Sequence, residues 1–393
     1  MIEKLAFELK DELISIRRKL HTIPETSFEE MKTAEFIRKK LDEYHIIYTT
    51  AANTGTVVTI NGKNSNRTVL LRADIDGLPI KDESDFEPKS ERDGYMHACG
   101  HDIHTACLLG AAKILNTIKD NINGNVKLVF QPAEEGDGGA LPMINEGIME
   151  NPRVDGAFAL HVEPLEPTGN IQIKDGPIMA SPDDFEIIVH GIGGHGAYPE
   201  KCVNPLSVCA EILRKYHELP QKYNLPCVVT ICSINGGSCR NAIPDTAVMT
   251  GTARSIDPKT RKKLIDLLRD TANDTAKRFG AELDFNFNIL FPPVINDKKL
   301  NEIVTKSAKK LSCINNVTIL DMPSMAGDDF AYFGEQVPAS YFKLGVGNVD
   351  IGATYPIHSP KFKADENALP IGSAILAQVA VDFLDTLEGV SLP

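Results

Sequence analysis

Apolar positions along the chain follow two periods, and the period indicates which element each stretch forms. Near the N-terminus, leucine and isoleucine recur at three- and four-residue steps, which predicts an amphipathic first helix with the stripe Leu5, Leu9, Leu13, Ile16 and Leu20. A second helical run covers residues 29–44. Short apolar runs at 56–60 and 68–73 predict strands, and the Asn61-Gly62 pair between them predicts a hairpin.

Helical and strand patterns then alternate to about residue 180, which is typical of a three-layer α/β domain with a central, mostly parallel sheet. From residue 183 the order becomes β-α-β-β-α-β, with strands predicted at 185–190, 227–233, 247–255 and 282–290 and helices at 205–218 and 259–279. This is the order of a ferredoxin-like α+β unit. Proline-bearing segments at both ends mark it as an insertion. We therefore predict a first domain of residues 1–182 and 294–393, interrupted by an inserted domain of residues 183–293.

Composition and charge favour a globular protein and disfavour several classes of partner. The chain has 393 residues, 42% of them apolar and 24% charged, which indicates a globular protein with more than one core. Its net charge of -13 disfavours nucleic acid or an anionic membrane as a partner. We find no apolar run long enough to span a membrane and no signal peptide, so a cytoplasmic location is expected. The eight cysteines form no C-x-x-C pair, so we expect buried thiols rather than a disulfide framework.

One short stretch concentrates metal-binding residue types. The sequence His97-Ala98-Cys99-Gly100-His101-Asp102-Ile103-His104 holds three histidines, a thiol and a carboxylate in eight residues. A lone histidine is more often a satisfied core residue, but buried polar groups that share a site each need a partner, and a metal ion provides one. Because sulfur binds divalent first-row metals strongly, Cys99 as a thiolate could bridge two ions.

Further ligand types follow predicted strands. Ligands of open α/β sheets bind beyond the carboxyl ends of the strands. Three such ends carry suitable side chains here: Asp74 and Asp76 after 69–71, Glu134 and Glu135 after 125–130, and His161 after 156–160. This coincidence is the main argument from the residues for an active site.

Some of these residues also allow a plainer interpretation. Adjacent glutamates such as Glu134 and Glu135 are common on any surface, but the glycine-rich stretch that follows favours function, with one carboxylate as ligand and the other relaying a proton. His358 lies between two prolines, where a ligand and a surface residue are hard to separate. The glycines at 191–196 lack the spacing of a nucleotide-binding loop, so no nucleotide site is expected.

Taken together, the motifs resemble those of a known family. The chain is similar to the amidohydrolase branch of the dinuclear metallo-aminoacylase and carboxypeptidase superfamily, which includes hippurate hydrolases, indoleacetyl-amino-acid hydrolases and N-acetyl-amino-acid deacetylases. The resemblance covers nearly the whole chain and rests on separated motifs at 72–79, 97–102, 130–136, 193–197, 241–245, 251–254 and 328–330.

The resemblance implies a set of roles. Two divalent ions, zinc, manganese, cobalt or nickel, would be held by Cys99, His101, Glu135, His161 and His358, with Cys99 as the bridge. Glu134 would be the general base and then the general acid. Asp76 matches a carboxylate that orients a ligand histidine, whereas Asp74 stands where that histidine would be.

The inserted domain resembles the lid of the family, which also carries the dimer contact. His195 would polarise the scissile carbonyl, often across a homodimer, and Asn241 and Arg254 match positions that hold the substrate carboxylate, for which a guanidinium group is well suited. The sequence departs from the family at Ile192, where lysine is usual, and at 200–205, where histidine and aspartate are common.

The implied reaction is metal-dependent hydrolysis of the amide bond of an N-acyl amino acid. Two alternatives stay open. A metallodipeptidase or aminopeptidase would use the same ions but needs an anchor for a free amine, which we cannot place. A non-catalytic metal-dependent binding protein would keep the ligands and lose the base, and Glu134 argues against it.

Overall fold

The computed structural model describes residues 1–136 and 138–386, with the exception of the Ser65 side chain. The chain divides into two compact units. The first contains residues 1–176 and 295–322 and continues from residue 329, and the second contains residues 177–294 and 323–328. The assignment of residues 183–293 to a lid and dimerisation domain stays a prediction.

Ten α-helices occur among the described residues: α1 Ile2–Glu8, α2 Lys10–Thr22, α3 Met31–Glu43, α4 His101–Ile118, α5 Ala140–Asn145, α6 Pro205–Lys222, α7 Pro258–Phe279, α8 Lys298–Ala308, α9 Ala331–Gln336 and α10 Ala368–Leu384. The described strands are β1 Tyr48–Ala51, β2 Gly55–Asn61, β3 Lys63–Asp74, β4 Asn123–Gln131, β5 Gly156–Pro167, β6 Asn170–Ile173, β7 Gly176–Met179, β8 Ser181–His190, β9 Gly194–His195, β10 Cys227–Gly236, β11 Ala242–Ile243, β12 Thr246–Ser255, β13 Glu282–Asn288, β14 Val294–Asn296, β15 Asn316–Ile319 and β16 Ala339–Gly347.

The first unit is built on an eight-stranded sheet with the order β1-β2-β4-β3-β5-β16-β6-β15. Its four central strands, β4, β3, β5 and β16, are parallel, and β1 and β2 complete one side in antiparallel pairing. The predicted α/β class with a mostly parallel central sheet is therefore confirmed. The parallel strands carry their carboxyl ends to one edge of the sheet.

The hairpin predicted at Asn61-Gly62 is wrong. β2 and β3 do not pair, because β4 lies between them, antiparallel to β2 and parallel to β3. The backbone nitrogens of Gly62 and Lys63 instead donate to the carbonyls of Gly124 and Ile122, at 2.9 and 2.7 Å. The almost wholly buried strand β4 needs a neighbour on each side, and this requirement outweighs the local turn signal.

The predicted first helix is also divided. Helix α1 ends before Leu9, whose backbone nitrogen donates to the carbonyl of Ala6 in a tighter turn than an α-helix makes, and α2 begins at Lys10. The apolar stripe survives the break, since Leu13, Ile16 and Leu20 are all buried. The structure thus has two helices where one was predicted, but the predicted apolar residues after the break are buried.

Helices α4 and α10 form the centre of the first core. Both are buried on nearly every side, and they approach each other closely at Gly110, where an added Cβ would lie 2.2 Å from Ser373 Oγ. A helix that is apolar all round belongs in the interior of a large domain. Of the described helices, none is both long enough and apolar enough for a membrane span.

The second unit contains a four-stranded antiparallel sheet with the order β10-β12-β8-β13, and helices α6 and α7 pack on it. In chain order this is the strand arrangement 2-3-1-4 of a ferredoxin-like fold, as predicted from the sequence. Phe185, Ile187 and Val189 of β8 form its core with residues of both helices. Tyr216 of α6 is buried there, and its hydroxyl donates to the carbonyl of Leu268 in α7 at 2.7 Å.

Replacement of Tyr216 by phenylalanine removes this hydrogen bond between the two helices without opening a cavity. We expect Tyr216→Phe to lower the free energy of unfolding by about 1 kcal/mol, the usual net value of one buried hydrogen bond. The measurement is urea denaturation of the full chain. Tyr223→Phe, at a position that is 37% exposed, is the matched control, and equal losses in the two variants would contradict the assignment.

Candidate metal centre

The residues predicted as metal ligands lie in the first unit, at the carboxyl ends of its parallel strands. Asp74 is the last residue of β3, and Glu134 and Glu135 occupy the turn that follows β4. His161 was predicted to follow a strand, but it lies inside β5, because the pairing of β5 with β16 continues past it, to Glu163 and, after a bulge, to Pro167. Pairing between β3 and β5 ends earlier, at Ala159, so His161 still lies beyond that pairing.

The folded chain brings all five predicted ligands together. One ligand atom from each of Cys99, His101 and His161 lies within 4.8 Å of the others, and the same holds for Cys99, Glu135 and His358. The two groups share the Cys99 thiol. Glu134 belongs to a third group of this kind, with His101 and Glu135.

His101 is held with one ring nitrogen turned toward the cluster. Its Nδ1 lies 3.1 Å from Asp76 Oδ1, while its Nε2 is buried and has no hydrogen-bond partner among the described residues. The nearest carboxylate oxygens of Glu135 and Glu134 are 3.8 and 3.9 Å from that Nε2, beyond hydrogen-bond reach. A buried nitrogen left without a partner is costly unless a ligand uses it, and metal-binding histidines typically have a carboxylate on their other nitrogen.

His161 and His358 complete the cluster from two other parts of the chain. His161 Nδ1 donates to the carbonyl of Val162 at 2.7 Å, which leaves Nε2, 3.4 Å from Cys99 Sγ, without its proton. His358 Nε2 lies 3.1 Å from Glu135 Oε1. Imidazole nitrogens, a thiol and a carboxylate thus converge from β5, two loops and the start of α4.

A glycine between two of the predicted ligands fixes the local backbone. Gly100 separates Cys99 from His101 and has φ +84°, a left-handed conformation that other residues rarely adopt. A Cβ at this position would also lie 2.5 Å from Val162 Cγ2. The glycine is therefore needed both for the turn that starts α4 and for its close packing on β5.

The carboxylates around Cys99 and His101 shift the pKa values of both residues upward. Burial raises the pKa of the Cys99 thiol well above its usual range, and Glu135 and Glu134 raise it further. Burial would lower the pKa of His101, but the carboxylates of Asp74 and Asp76 outweigh this effect and raise that pKa to about 10. Buried carboxylates around a thiol need a cation, and a divalent ion would reverse the shift of the thiol. The donor set and its charge therefore fit bound divalent metal.

Asp74 and Asp76, whose roles the sequence left open, have different partners. Asp76 contacts His101 through Oδ1 and accepts the backbone nitrogen of Glu135 at Oδ2, at 2.9 Å. Asp74 contacts Arg72 at 2.6 Å and His104 Nδ1 at 2.6 Å. His104 in turn accepts the Val162 backbone nitrogen on Nε2, at 2.9 Å. Both nitrogens of His104 are thus engaged outside the two groups that share Cys99.

His97, the remaining histidine of the motif, is fully buried, and neither ring nitrogen has a hydrogen-bond partner among the described residues. Burial lowers the pKa of His97 to about 4, so the ring is neutral. It belongs to none of the ligand groups found in the described part of the chain.

The other predicted site residues lie in the second unit. His195 in β9 pairs with Ala242 of β11, so Asn241 is its close neighbour, and Gly196 donates to the Asn241 carbonyl at 2.8 Å. Arg254 is near the end of β12, whereas Asn241 precedes the start of that strand. The span from Thr246 to Arg254 is about 26 Å at the usual rise of a strand. Within one chain, Arg254 and Asn241 are therefore not brought together.

Comparison with known proteins identifies relatives over the whole chain. The model of peptidase family M20/M25/M40 matches residues 70–382. The chain is 37% identical to thermostable carboxypeptidase 1 of Saccharolobus solfataricus, over 98% of this chain and 99% of that protein. It is 34% identical to the N-acetylcysteine deacetylase of Bacillus subtilis, over 96% and 98% of the two chains.

Solved structures agree with these sequence comparisons. A putative aminohydrolase from methicillin-resistant Staphylococcus aureus superimposes with a TM-score of 0.91 at 30% identity and covers 98% of this chain and 99% of that one. The YXEP protein of Bacillus subtilis, described as a dinuclear metal-binding peptidase of the M20 family, superimposes with a TM-score of 0.85 at 33% identity over 97% and 99%.

Asp76 links a histidine predicted to bind metal to the backbone of a glutamate predicted to bind metal, so its removal should weaken metal binding without removing any predicted ligand. We expect Asp76→Ala to lower metal affinity by about ten- to a hundredfold, the usual effect of losing such a supporting contact. The measurement is competition with a chelator. Asp82→Ala is the control, since Asp82 contacts His21 and Ser84 instead. Unchanged affinity in Asp76→Ala would refute the supporting role.

Proposed function

The chain belongs to peptidase family M20/M25/M40, as its motifs predicted, and we propose that it is a metal-dependent amidohydrolase that cleaves the amide bond of N-acyl amino acids to a carboxylic acid and a free amino acid. The observation that carries the proposal is the cluster of five ligands with an additional carboxylate, Glu134, beside it. Relatives named for N-acetylcysteine deacetylation and for hydrolysis of indoleacetyl-amino acids support the substrate class.

We assign the metal ligands from the two groups that share a thiol. Cys99, His101, Glu135, His161 and His358 would hold two divalent ions, with the Cys99 thiolate common to both. Zinc, manganese, cobalt and nickel all suit thiolate, imidazole and carboxylate donors. When bound, the ions would supply Lewis acidity that acidifies water and polarises the substrate carbonyl.

Glu134 is the proposed general base. It lies next to the ligand Glu135 on the same turn, and its side chain is largely buried. In the proposed reaction a carboxylate oxygen of Glu134 takes a proton from the attacking water and later delivers it to the nitrogen of the leaving amino acid. The same group thus serves both halves of the reaction.

His195 is suited to donate a hydrogen bond to the carbonyl oxygen. Its Nδ1 accepts the backbone nitrogen of Ala197 at 3.0 Å, so a neutral His195 carries its proton on Nε2. The side chain is exposed on the second unit. A donor aimed at the developing negative oxygen stabilises the transition state of amide hydrolysis.

The distance between Asn241 and Arg254 supports a homodimer. Both match positions that would hold the substrate carboxylate, yet they lie at opposite ends of β12. In a homodimer, one copy of the chain could supply Asn241 and His195 to a site, and the other copy could supply Arg254 to the same site. The guanidinium of Arg254 would then bind the carboxylate of the substrate in a bidentate manner.

A carboxypeptidase is the second candidate, because the relative named thermostable carboxypeptidase 1 is 37% identical. The residues proposed above for the amidohydrolase could also carry out the carboxypeptidase reaction. The C-terminal residue of a peptide is itself an amino acid that is acylated on nitrogen and has a free carboxylate. The two functions therefore differ in what fills the acyl side of the site rather than in the chemistry.

Glu134 and Glu135 have different proposed roles, and single substitutions separate them. Glu134→Ala should keep its metal and lose at least about a hundredfold in kcat, as expected when a general base is removed. Glu135→Ala should lose metal as well as activity. The measurements are metal content after gel filtration and kcat. Loss of metal by both variants would contradict the division of roles.

The substrate class is tested with metal-stripped protein refilled with zinc, manganese, cobalt or nickel. We expect metal-dependent hydrolysis of N-acetyl, N-benzoyl or indoleacetyl amino acids and no hydrolysis of dipeptides with a free amine. Cleavage of blocked peptides that exceeds cleavage of every simple acyl amino acid would favour the carboxypeptidase. Metal binding without turnover of any substrate would instead favour a binding protein.

A further inference from the structure

A buried glutamate outside the metal cluster contacts the loop that carries Glu134 and Glu135. Glu30 directly precedes α3, and it is fully buried. Its Oε1 accepts the backbone nitrogens of Phe28 and Ala133, at 3.0 and 2.9 Å, and its Oε2 accepts Thr54 Oγ1 at 2.6 Å. One carboxylate thus joins the segment before α3, the β1–β2 connection and the residue that precedes Glu134.

Both backbone nitrogens bound by Glu30 Oε1 belong to residues in an unusual conformation. Phe28 has φ +59° and Ala133 has φ +57°, in the left-handed region that residues other than glycine seldom adopt. Such a conformation persists only where the surrounding structure imposes it, and it is frequent at functional sites. At Ala133 the contact on the backbone nitrogen is the hydrogen bond to Glu30.

The rest of the loop is closed tightly on the same segment. The Gly138 backbone nitrogen donates to the carbonyl of Ala133 at 2.9 Å, and a Cβ on Gly139 would lie 1.9 Å from the carbonyl oxygen of Pro132. A Cβ on Gly136 would lie 2.3 Å from Ser27 Oγ. Ala133 directly precedes Glu134, so its backbone conformation sets the direction in which the chain enters the segment with Glu134 and Glu135.

We propose that Glu30 is a positioning residue for hydrolysis: by fixing the left-handed backbone of Ala133, it directs Glu134 toward the reacting water and Glu135 toward the metal ions. This inference rests on the proposed function for the roles of Glu134 and Glu135. Glu30 itself touches neither of them through its side chain in the contacts described above, and it acts through the backbone.

The proposal assigns the effect to the acceptor oxygen rather than to the charge. Burial raises the pKa of Glu30 to about 6, and Asp76 acts in the same direction, whereas the hydrogen bonds from Thr54 and Ala133 act against it. Glutamine has the same shape and an acceptor oxygen for the two backbone nitrogens, and its amide nitrogen can donate to the Thr54 hydroxyl. Glu30→Gln should therefore keep the loop in place, and Glu30→Ala should not.

Glu25 provides a matched control on the same segment. It is also a buried glutamate, and its Oε2 accepts the backbone nitrogen and hydroxyl of Thr33 at 3.0 and 3.1 Å. Its described side-chain contacts are with α3 and not with the Glu134 loop. Glu25→Ala therefore removes a comparable set of buried hydrogen bonds and tests what loss of stability alone does to activity.

The experiment compares kcat, KM, metal content and thermal unfolding for wild-type protein, Glu30→Ala, Glu30→Gln and Glu25→Ala, all refilled with the same metal. We expect Glu30→Ala to lower kcat by about ten- to a hundredfold with KM changed less than about threefold, as misplacement by about 1 Å of catalytic groups does. Glu30→Gln should stay within about threefold of wild type, and so should Glu25→Ala, although Glu25→Ala unfolds at a lower temperature.

Amide hydrogen exchange gives a readout that does not depend on turnover. Exchange at Ala133 should be faster in Glu30→Ala than in wild type, and Glu30→Gln should restore the slow rate. The proposal is overturned if Glu30→Ala keeps both kcat and slow exchange, or if Glu25→Ala loses as much kcat as Glu30→Ala. A wild-type protein that hydrolyses no substrate, with exchange at Ala133 still dependent on Glu30, would refute the proposed function and not the positioning contact.

If Glu30→Ala does not fold, Thr54→Val replaces it in the test. This change removes the hydroxyl that fixes Oε2 and leaves Glu30 in place. We expect kcat to fall by about threefold with unchanged KM and faster exchange at Ala133, a smaller effect because the two main hydrogen bonds remain. Wild-type values for both kcat and exchange would overturn the proposal.

Discussion

Within the cluster of candidate metal ligands, a single carboxylate connects two parts of the chain. Asp76 contacts the ring of His101 at the start of α4 and the backbone of Glu135 after β4. Asp76 and Glu135 lie close together because they follow β3 and β4, parallel neighbours that end at the same edge of the sheet. The two contacts of Asp76 therefore hold His101 and Glu135 at a fixed distance from each other. A metal site requires such fixed distances between its ligands.

Around this connection the protein holds several groups in forms that are unfavourable by themselves. A buried thiol, a histidine with an unpaired nitrogen and two adjacent glutamates share one cluster. The thiol and the unpaired histidine nitrogen gain no stability from the fold alone, because each is desolvated without full compensation. The apolar helices α4 and α10 and the parallel strands provide the rigid support that keeps such groups together. The apolar core thus supplies the stability, whereas the incompletely compensated polar groups lie at the carboxyl edge of the sheet.

Sequence patterns predicted those features that depend on residue type and period. The apolar helices, the strand order of the second unit and the convergence of Cys99, His101 and Glu135 are of this kind. Features that depend on distant neighbours were missed. The pair Asn61-Gly62 carries a true turn signal, but the sequence near it does not reveal that β4 enters between the two strands. Glu30 resembles a solvated residue at the start of a helix, and nothing about alanine indicates that Ala133 is left-handed.

The position of α10 at the centre of the first core has a consequence for the order of events during synthesis. Residues 368–384 are translated after all the described sheet strands and after the five predicted ligands, yet α4 packs against them. The core of the first unit can therefore pack completely only after α10 has emerged from the ribosome. Until then, β3, β4 and β5 expose apolar surface, and the thiol of Cys99 is accessible. The second unit is largely continuous in sequence and can fold earlier, so it would be folded before the predicted metal ligands come together.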